Sequence, residues 1–197
     1  MSVDARTLAA YDARAADYAK LFRTRGPDRH LQSFIAALPP GARVLDLGCG
    51  PGQASVFLRE AGHRPDPVDA SVGMVALAND RHAIGARQAS FDDIDAVAAY
   101  EGVWANFSLL HAPRSALPRH LVALNRALVP GGILHVGMKT GTGEARDALD
   151  RLYTFVTGAE MRGLLDGAGF TVTAEEEGME RGLAGTLDPF VILRARA

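Results

Sequence analysis

Apolar positions recur along this chain with two different periods, and each change of period marks a new element. In the alanine-rich run 8–22, LAAYDARAADYAKLF, Leu8, Tyr11, Ala15, Tyr18 and Phe22 fall on one side of a helix. Gly26-Pro27 breaks it, Asp28 stands as the cap of a second helix through about Leu38, and Pro39-Pro40-Gly41 ends that one. The pattern then alternates. ARVLDL (42–47) reads as a buried strand and QASVFLREAG (53–62) as a helix stopped by Gly62. HRPDPVD (63–69) reads as a strand weakened by its two prolines, and Ser71 caps a helix in VGMVALAND (72–80). IGARQAS (84–90) is a short strand leading into the acidic turn FDDID (91–95), and EGVWANFS (101–108) is another strand. SALPRHLVALNRAL (115–128) is an amphipathic helix with Leu117, Leu121, Leu124 and Leu128 on one face and Pro118 in its first turn.

Pro130-Gly131-Gly132 turns the chain into the strand ILHVGMK (133–139), and a loop rich in Gly and Thr follows. GAEMRGLLDGAGF (158–170) is a helix stopped by Gly169. FTVTAEEE (170–177) and DPFVILRARA (188–197) are closing strands, with Gly182 and Gly185 between them. Seven strands alternating with helices predict an α/β domain with a mainly parallel sheet covered on both faces. The last two strands have no helix between them and are expected as antiparallel neighbours, because a parallel pair needs a longer crossover.

Composition narrows the function classes. The chain of 197 residues has 21 basic and 23 acidic side chains, a net charge of −2, and no basic stripe of the kind that phosphate contacts require, which argues against a nucleic-acid partner. No apolar run approaches the ~20 residues that span a bilayer, and the first residues lack a signal-peptide core, so a cytoplasmic protein with no membrane partner is expected. Cys49 is the one cysteine, and no histidines sit at i, i+4, so no metal is predicted. A single domain over 1–197 is expected, with 1–38 as a helical cover on a 39–197 core, as a monomer or homodimer.

The chemistry concentrates in VLDLGCGPGQAS (44–55). Gly48, Gly50 and Gly52 stand at alternate positions behind Asp46, just after a strand. Such a turn lets the backbone approach a ligand, and the helix after it offers free N–H groups and a positive dipole end. The dinucleotide fingerprint fits poorly: counted from Gly48 its third glycine position is Gln53, and counted from Gly50 it ends at Ser55. The pattern present is D-x-G-x-G-x-G.

That motif resembles motif I of the class I S-adenosylmethionine-dependent methyltransferases, and the resemblance runs through nearly the whole chain. Asp69 stands at the end of the second strand, followed by Ala70, Ser71, Met74 and Ala78 in the family's D-x-S-x-x-M-x-x-x-A order. NRALVPGGILHVGMK resembles its L-x-P-G-G entry to strand five, and LLDGAGFTV its late L-x-x-A-G-F segment. The resemblance implies a Rossmann-like sheet, S-adenosylmethionine as cofactor and methyl transfer to a small-molecule acceptor. The alternatives are a non-catalytic S-adenosylmethionine-binding protein or a nicotinamide-dependent oxidoreductase.

It further implies a cofactor site made by the turn Asp46, Gly48, Gly50 and Gly52, by Asp69 on the ribose, by Ala70 and Met74, by Ser90 and Phe91 beside adenine, by Asn106, and by Tyr18 from the N-terminal helix. His111, just past the fourth strand, is the expected base, since its ordinary pKa suits proton transfer. Asn106-Phe107-Ser108-Leu109 lacks the prolines of the N-P-P-Y platform for a flipped base, which also argues against nucleic acid. Lys139, Glu144, Arg146, Arg151 and Tyr153 stand in the loop after strand five, either orienting an acceptor or simply solvated. The N-terminal helix is either a lid or an element pinned to the body.

Overall fold

Every buried strand of this protein offers two faces, and the side chains on each decide which helices cover it. A computed structural model describes residues 3–21, 26–182 and 185–197, with side chains described for all of these except 16–21. The helices α1 (Ala5–Leu21) and α2 (Arg29–Ala37) precede β1 (Arg43–Leu47), α3 (Gln53–Glu60), β2 (Arg64–Asp69), α4 (Val72–His82) and β3 (Arg87–Gln88). Then come β4 (Tyr100–Asn106), α5 (Leu117–Ala127), β5 (Leu128–Lys139), β6 (Glu144–Arg146), β7 (Leu152–Thr154), α6 (Gly158–Gly167), β8 (Thr171–Arg181) and β9 (Leu187–Arg196).

One seven-stranded sheet has the order β3-β2-β1-β4-β5-β9-β8. β1 to β5 are parallel, and β9 runs antiparallel to both β5 and β8. The closing pair is thus antiparallel, as a short connection demands. Val44, Trp104 and Ile133 pack with Leu31, Phe34 and Leu38 of α2 and its exit and with Leu58 of α3. The residues next in each strand, Leu45, Val103 and Leu134, face the other way, onto Leu117, Leu121 and Leu124 of α5 and Met161 and Leu165 of α6. Period-two alternation therefore distributes the core between two helical layers.

Several expectations are corrected in detail. The strand expected over 84–90 is paired only at Arg87 and Gln88. The α5 helix ends at Ala127, and Leu128 already belongs to β5, which runs through Pro130-Gly131-Gly132 with a register shift against β4. The loop after β5 contains a two-stranded hairpin, β6 with β7, that hydrophobic patterning missed because three-residue strands show too little of their period. Phe22 lies outside the described residues. The acidic run of β8 is paired with arginines, Glu175 with Arg162 and Glu176 with Arg29.

The strand with two prolines is real, and its hydrogen bonds explain why. Arg64 N donates to Ala42 O, and Gly48 N donates to Val68 O, so the even positions of β2 bond towards β1. Pro65 and Pro67 turn their missing N–H the other way, where β3 reaches only Val68 and Asp69. The chain winds outward from β1 to β3 and then returns to β4 beside β1. At that reversal the chain leaves β1 and β4 for helices on opposite faces, α3 and α5, which is where open α/β sheets leave a crevice for ligands.

Candidate active site

A cavity of about 780 Å³ opens at that reversal, within the ~300–1,000 Å³ usual for small-ligand pockets. One wall is the glycine turn. Gly48 and Cys49 both donate their N–H to Val68 O, at 2.8 and 2.9 Å, and so bend the chain off β1 across the end of β2. Gly48 has φ +74°, and a Cβ there would lie 2.4 Å from Ser108 Cβ, so only glycine fits between β1 and the end of β4. Gly50 has φ +51° and faces open space. Its N–H donates to Asp69 Oδ2 at 2.8 Å, while Ser71 N donates to Oδ1 at 2.9 Å. Two backbone donors thus aim the Asp69 carboxylate, and each oxygen keeps a further lone pair. Burial raises the pKa of Asp69 against these hydrogen bonds.

Asp46, 2% exposed, accepts from Ser55 Oγ at 2.7 Å, and burial lifts its pKa to about 7. Ala70, Met74, Phe91 and Asn106 also line the cavity. Asn106 Oδ1 accepts from His135 Nε2 at 3.0 Å, and that imidazole is stacked on Trp104.

Two expected residues stand outside the wall. Ser90 caps the 3-10 turn 91–93, donating from Oγ to Asp93 Oδ2 at 2.7 Å, so its side chain is spent on the turn rather than presented to a ligand. Gly52 is the cap of α3 with φ +84°, and a Cβ there would lie 2.4 Å from Ile84 Cδ1 and 3.2 Å from Ala78 Cβ. There it serves the approach of α3 to α4. The side chain of Tyr18 lies outside the described residues. Cys49 lines the cavity, but burial pushes its thiol pKa far up.

The opposite wall is assembled from distant segments. His111 is 7% exposed, with Nδ1 2.8 Å from Leu152 O and Nε2 2.6 Å from Tyr11 Oη. Both ring nitrogens are therefore engaged inside the protein, and burial lowers the imidazole pKa to about 4. This corrects the expectation of His111 as a base in direct reach of an acceptor. Tyr11 Oη accepts from Arg151 Nη1 at 3.2 Å, and Asp147 holds that guanidinium through Nε at 3.0 Å and Nη2 at 2.5 Å. Lys139 bonds Asp188 and lies over the Tyr153 ring, 4.2 Å from its centroid. Of the loop residues singled out from sequence, Lys139, Arg151 and Tyr153 line the cavity; Glu144 and Arg146 instead bond Arg114 and Asp4. Sequence reasoning missed Asp147, Asp188 and Phe190, since no local pattern marks them.

The α1 helix is fastened on both sides of the mouth. Asp12 Oδ1 accepts from Ser71 Oγ and Gly73 N at 2.5 and 3.0 Å, giving α4 a capping carboxylate from another helix. Thr7 Oγ1 accepts from Leu152 N, and Asp4 takes both terminal nitrogens of Arg146. Among the described residues, no three His, Cys, Asp or Glu side chains converge as metal donors, and no helix is long and apolar enough to cross a membrane.

The glycine turn, the acidic end of β2 and the strand order coincide with a known family. Residues 44–132 match the family described as the methyltransferase domain. Over that stretch, nearly half of its length, the chain is similar to methyltransferases. Two curated relatives extend the likeness beyond those residues. The malonyl-[acyl-carrier protein] O-methyltransferase of Enterobacter lignolyticus is 33% identical over 143 residues, 67% of this chain and 53% of that protein. The trans-aconitate 2-methyltransferase of Methylobacterium nodulans is 35% identical over 149 residues, 71% of this chain and 55% of that protein. The chain thus spans about half the length of the curated relatives it matches. The chain also shares its fold with 1,6-didemethyltoxoflavin-N1-methyltransferase of Burkholderia thailandensis, with a TM-score of 0.74 at 23% identity, over 98% of this chain and 87% of that one. That structure holds S-adenosylhomocysteine.

Proposed function

We propose that the protein transfers a methyl group from S-adenosylmethionine to a small-molecule acceptor. The observation that carries this reading is the Gly48–Gly50 bend, closed to any side chain at Gly48 and open at Gly50, lying against a carboxylate aimed by Gly50 N and Ser71 N. The cradle fits the donor. Asp69 offers two acceptor oxygens to the vicinal hydroxyls of a ribose. The bend would lie along the methionyl and ribose portions, Asp46 would orient the amino group, Phe91 and Met74 would wall the adenine, and Ala70 and Asn106 would complete the pocket. Bound there, the donor supplies a methyl group already activated on a sulfonium.

The chain's own task is then to exclude water and hold the acceptor in line, with reacting atoms ~3–3.5 Å apart. The polar wall of Tyr11, Arg151 and Lys139 orients the acceptor within otherwise aromatic surroundings, among them Phe57, Trp104 and Phe190. On this reading 1–197 acts as one domain, with 1–38 covering 39–197, in the cytoplasm, as a monomer or homodimer, on small molecules rather than nucleic acid. Isothermal titration with S-adenosylhomocysteine tests the cofactor. A labelled-methyl screen of acceptors in cell extract tests the transfer. Binding without any labelled product would favour a non-catalytic role, and heat from a nicotinamide cofactor alone would favour an oxidoreductase.

A further inference from the structure

Methyl transfer to a protonated heteroatom releases a proton, and the site must say where it goes. The Leu152 carbonyl can only accept, so Nδ1 of His111 carries the hydrogen in their 2.8 Å contact. In the neutral ring Nε2 is then a bare acceptor, and Tyr11 must donate its phenolic hydrogen across the 2.6 Å contact. The Tyr11 oxygen in turn accepts from Arg151, a guanidinium fixed by Asp147 and 2% exposed. The imidazole is enclosed by the Tyr11 and Tyr153 rings, with centroids 5.3 and 4.8 Å away. Both of its nitrogens are occupied, so its path to the acceptor runs through the Tyr11 hydroxyl.

We propose that Tyr11 meets the acceptor and relays the acceptor's proton to His111, so that the N-terminal helix supplies a catalytic residue. The inference rests on the methyl-transfer reading above. As the acceptor heteroatom bonds to the methyl carbon, the C–S electron pair stays with sulfur. The acceptor's proton passes to Tyr11 Oη while the phenolic proton passes to His111 Nε2. Tyr11 ends neutral, as it began. His111 ends as an imidazolium donating to Tyr11 and to Leu152 O, and it returns its proton to water when product leaves. Burial keeps the ring neutral and weakly basic, with a pKa of about 4. An acceptor oxygen that gains a methyl group while still holding its proton becomes a strong acid, so a weak base suffices.

Tyr11→Phe removes one hydroxyl and leaves α1 fastened through Asp4, Thr7 and Asp12. The first test uses the whole chain labelled with 15N-histidine. The relay requires the Nδ1–H tautomer of His111 in the wild type, with Nε2 moving towards the resonance of an unbonded nitrogen in Tyr11→Phe. An Nε2–H tautomer, or an Nε2 signal indifferent to the substitution, overturns it. S-adenosylhomocysteine titration separates the two readings: absent heat in the wild type sinks methyl transfer while leaving the NMR result standing. With a hydroxyl acceptor from the screen, Tyr11→Phe and His111→Gln each lower kcat by about 100-fold with donor affinity unchanged. Gln can accept from Tyr11 but cannot take up the proton, so full turnover in His111→Gln reduces His111 to positioning and ends the relay.

Discussion

The two walls of the cavity are built on opposite plans. On the glycine side the hydrogen bonds that hold the two carboxylates are local: Ser55 to Asp46 spans nine residues and Gly50 to Asp69 nineteen. On the polar side Tyr11 and His111 are 100 residues apart, His111 and Leu152 are 41 apart, and Arg151 and Tyr11 are 140 apart. A wall made within one βαβ unit is specified by its own sequence. A wall made from α1, the end of β4 and the β6–β7 hairpin exists only once the whole sheet has ordered them. The first therefore suits a ligand that a whole family shares, and the second suits a ligand that differs from one member to the next.

Titration offers the largest effect by which to break this contrast. Folding raises Asp46 from 3.8 to about 7, so its contribution is full below pH 3.8 and is lost as pH rises through 7. Folding lowers His111 from 6.5 to about 4, so its contribution is full above pH 6.5 and is lost as pH falls through 4. The first is worth about 4 kcal/mol and the second about 3 kcal/mol across its window. Urea unfolding over a pH series should give Asp46→Asn and His111→Leu opposite changes in slope. Slopes altered in the same direction would contradict the burial assigned to one of the walls.

Donor affinity comes next. Asp69→Ala should weaken S-adenosylhomocysteine about 10–100-fold, the ~1.5–3 kcal/mol of hydrogen bonds to a charged group, while Arg151→Ala leaves it unchanged by calorimetry. Equal losses in both variants would merge the two walls into one. Gly48→Ala should cost about 2 kcal/mol in thermal unfolding, from the left-handed backbone and the contact with Ser108. Gly50→Ala, with the same backbone strain but open space around it, should cost less. The smallest effect is expected of Asp12→Ala, about 1 kcal/mol from the lost cap on α4, with faster proteolysis within α1 as the readout. Unchanged proteolysis would show that Asp4 and Thr7 suffice to fasten the helix.

What could be read from the sequence follows the same division. Alternating apolar residues and the glycine motif gave the seven strands, their direction and the turn beside Asp69, because each is a short-range property. Ser90 and Gly52 stand outside the cavity lining for a common reason: a residue adjacent to a site in sequence can be consumed by the local turn or helix contact that makes the site. Ser90 caps the turn beneath Phe91, and Gly52 lets α3 approach α4. His111 was found, but its partners were not. The carbonyl of Leu152 and the hydroxyl of Tyr11 determine its role, and no spacing along the chain records a contact across 100 residues. The β6–β7 hairpin escaped notice, and with it the anchoring of Arg151 by Asp147.

The prolines of β2 have a consequence beyond that strand. Beyond the two residues of β3, this margin of the sheet would otherwise offer a ladder of donors to any extended peptide. Pro65 and Pro67 remove those donors, so an incoming chain finds carbonyls there with nothing to reciprocate. The flank nearest Asp69 is thereby made a poor template for self-association. Exchanging both prolines for valine would complete the ladder and invite fibrous aggregates.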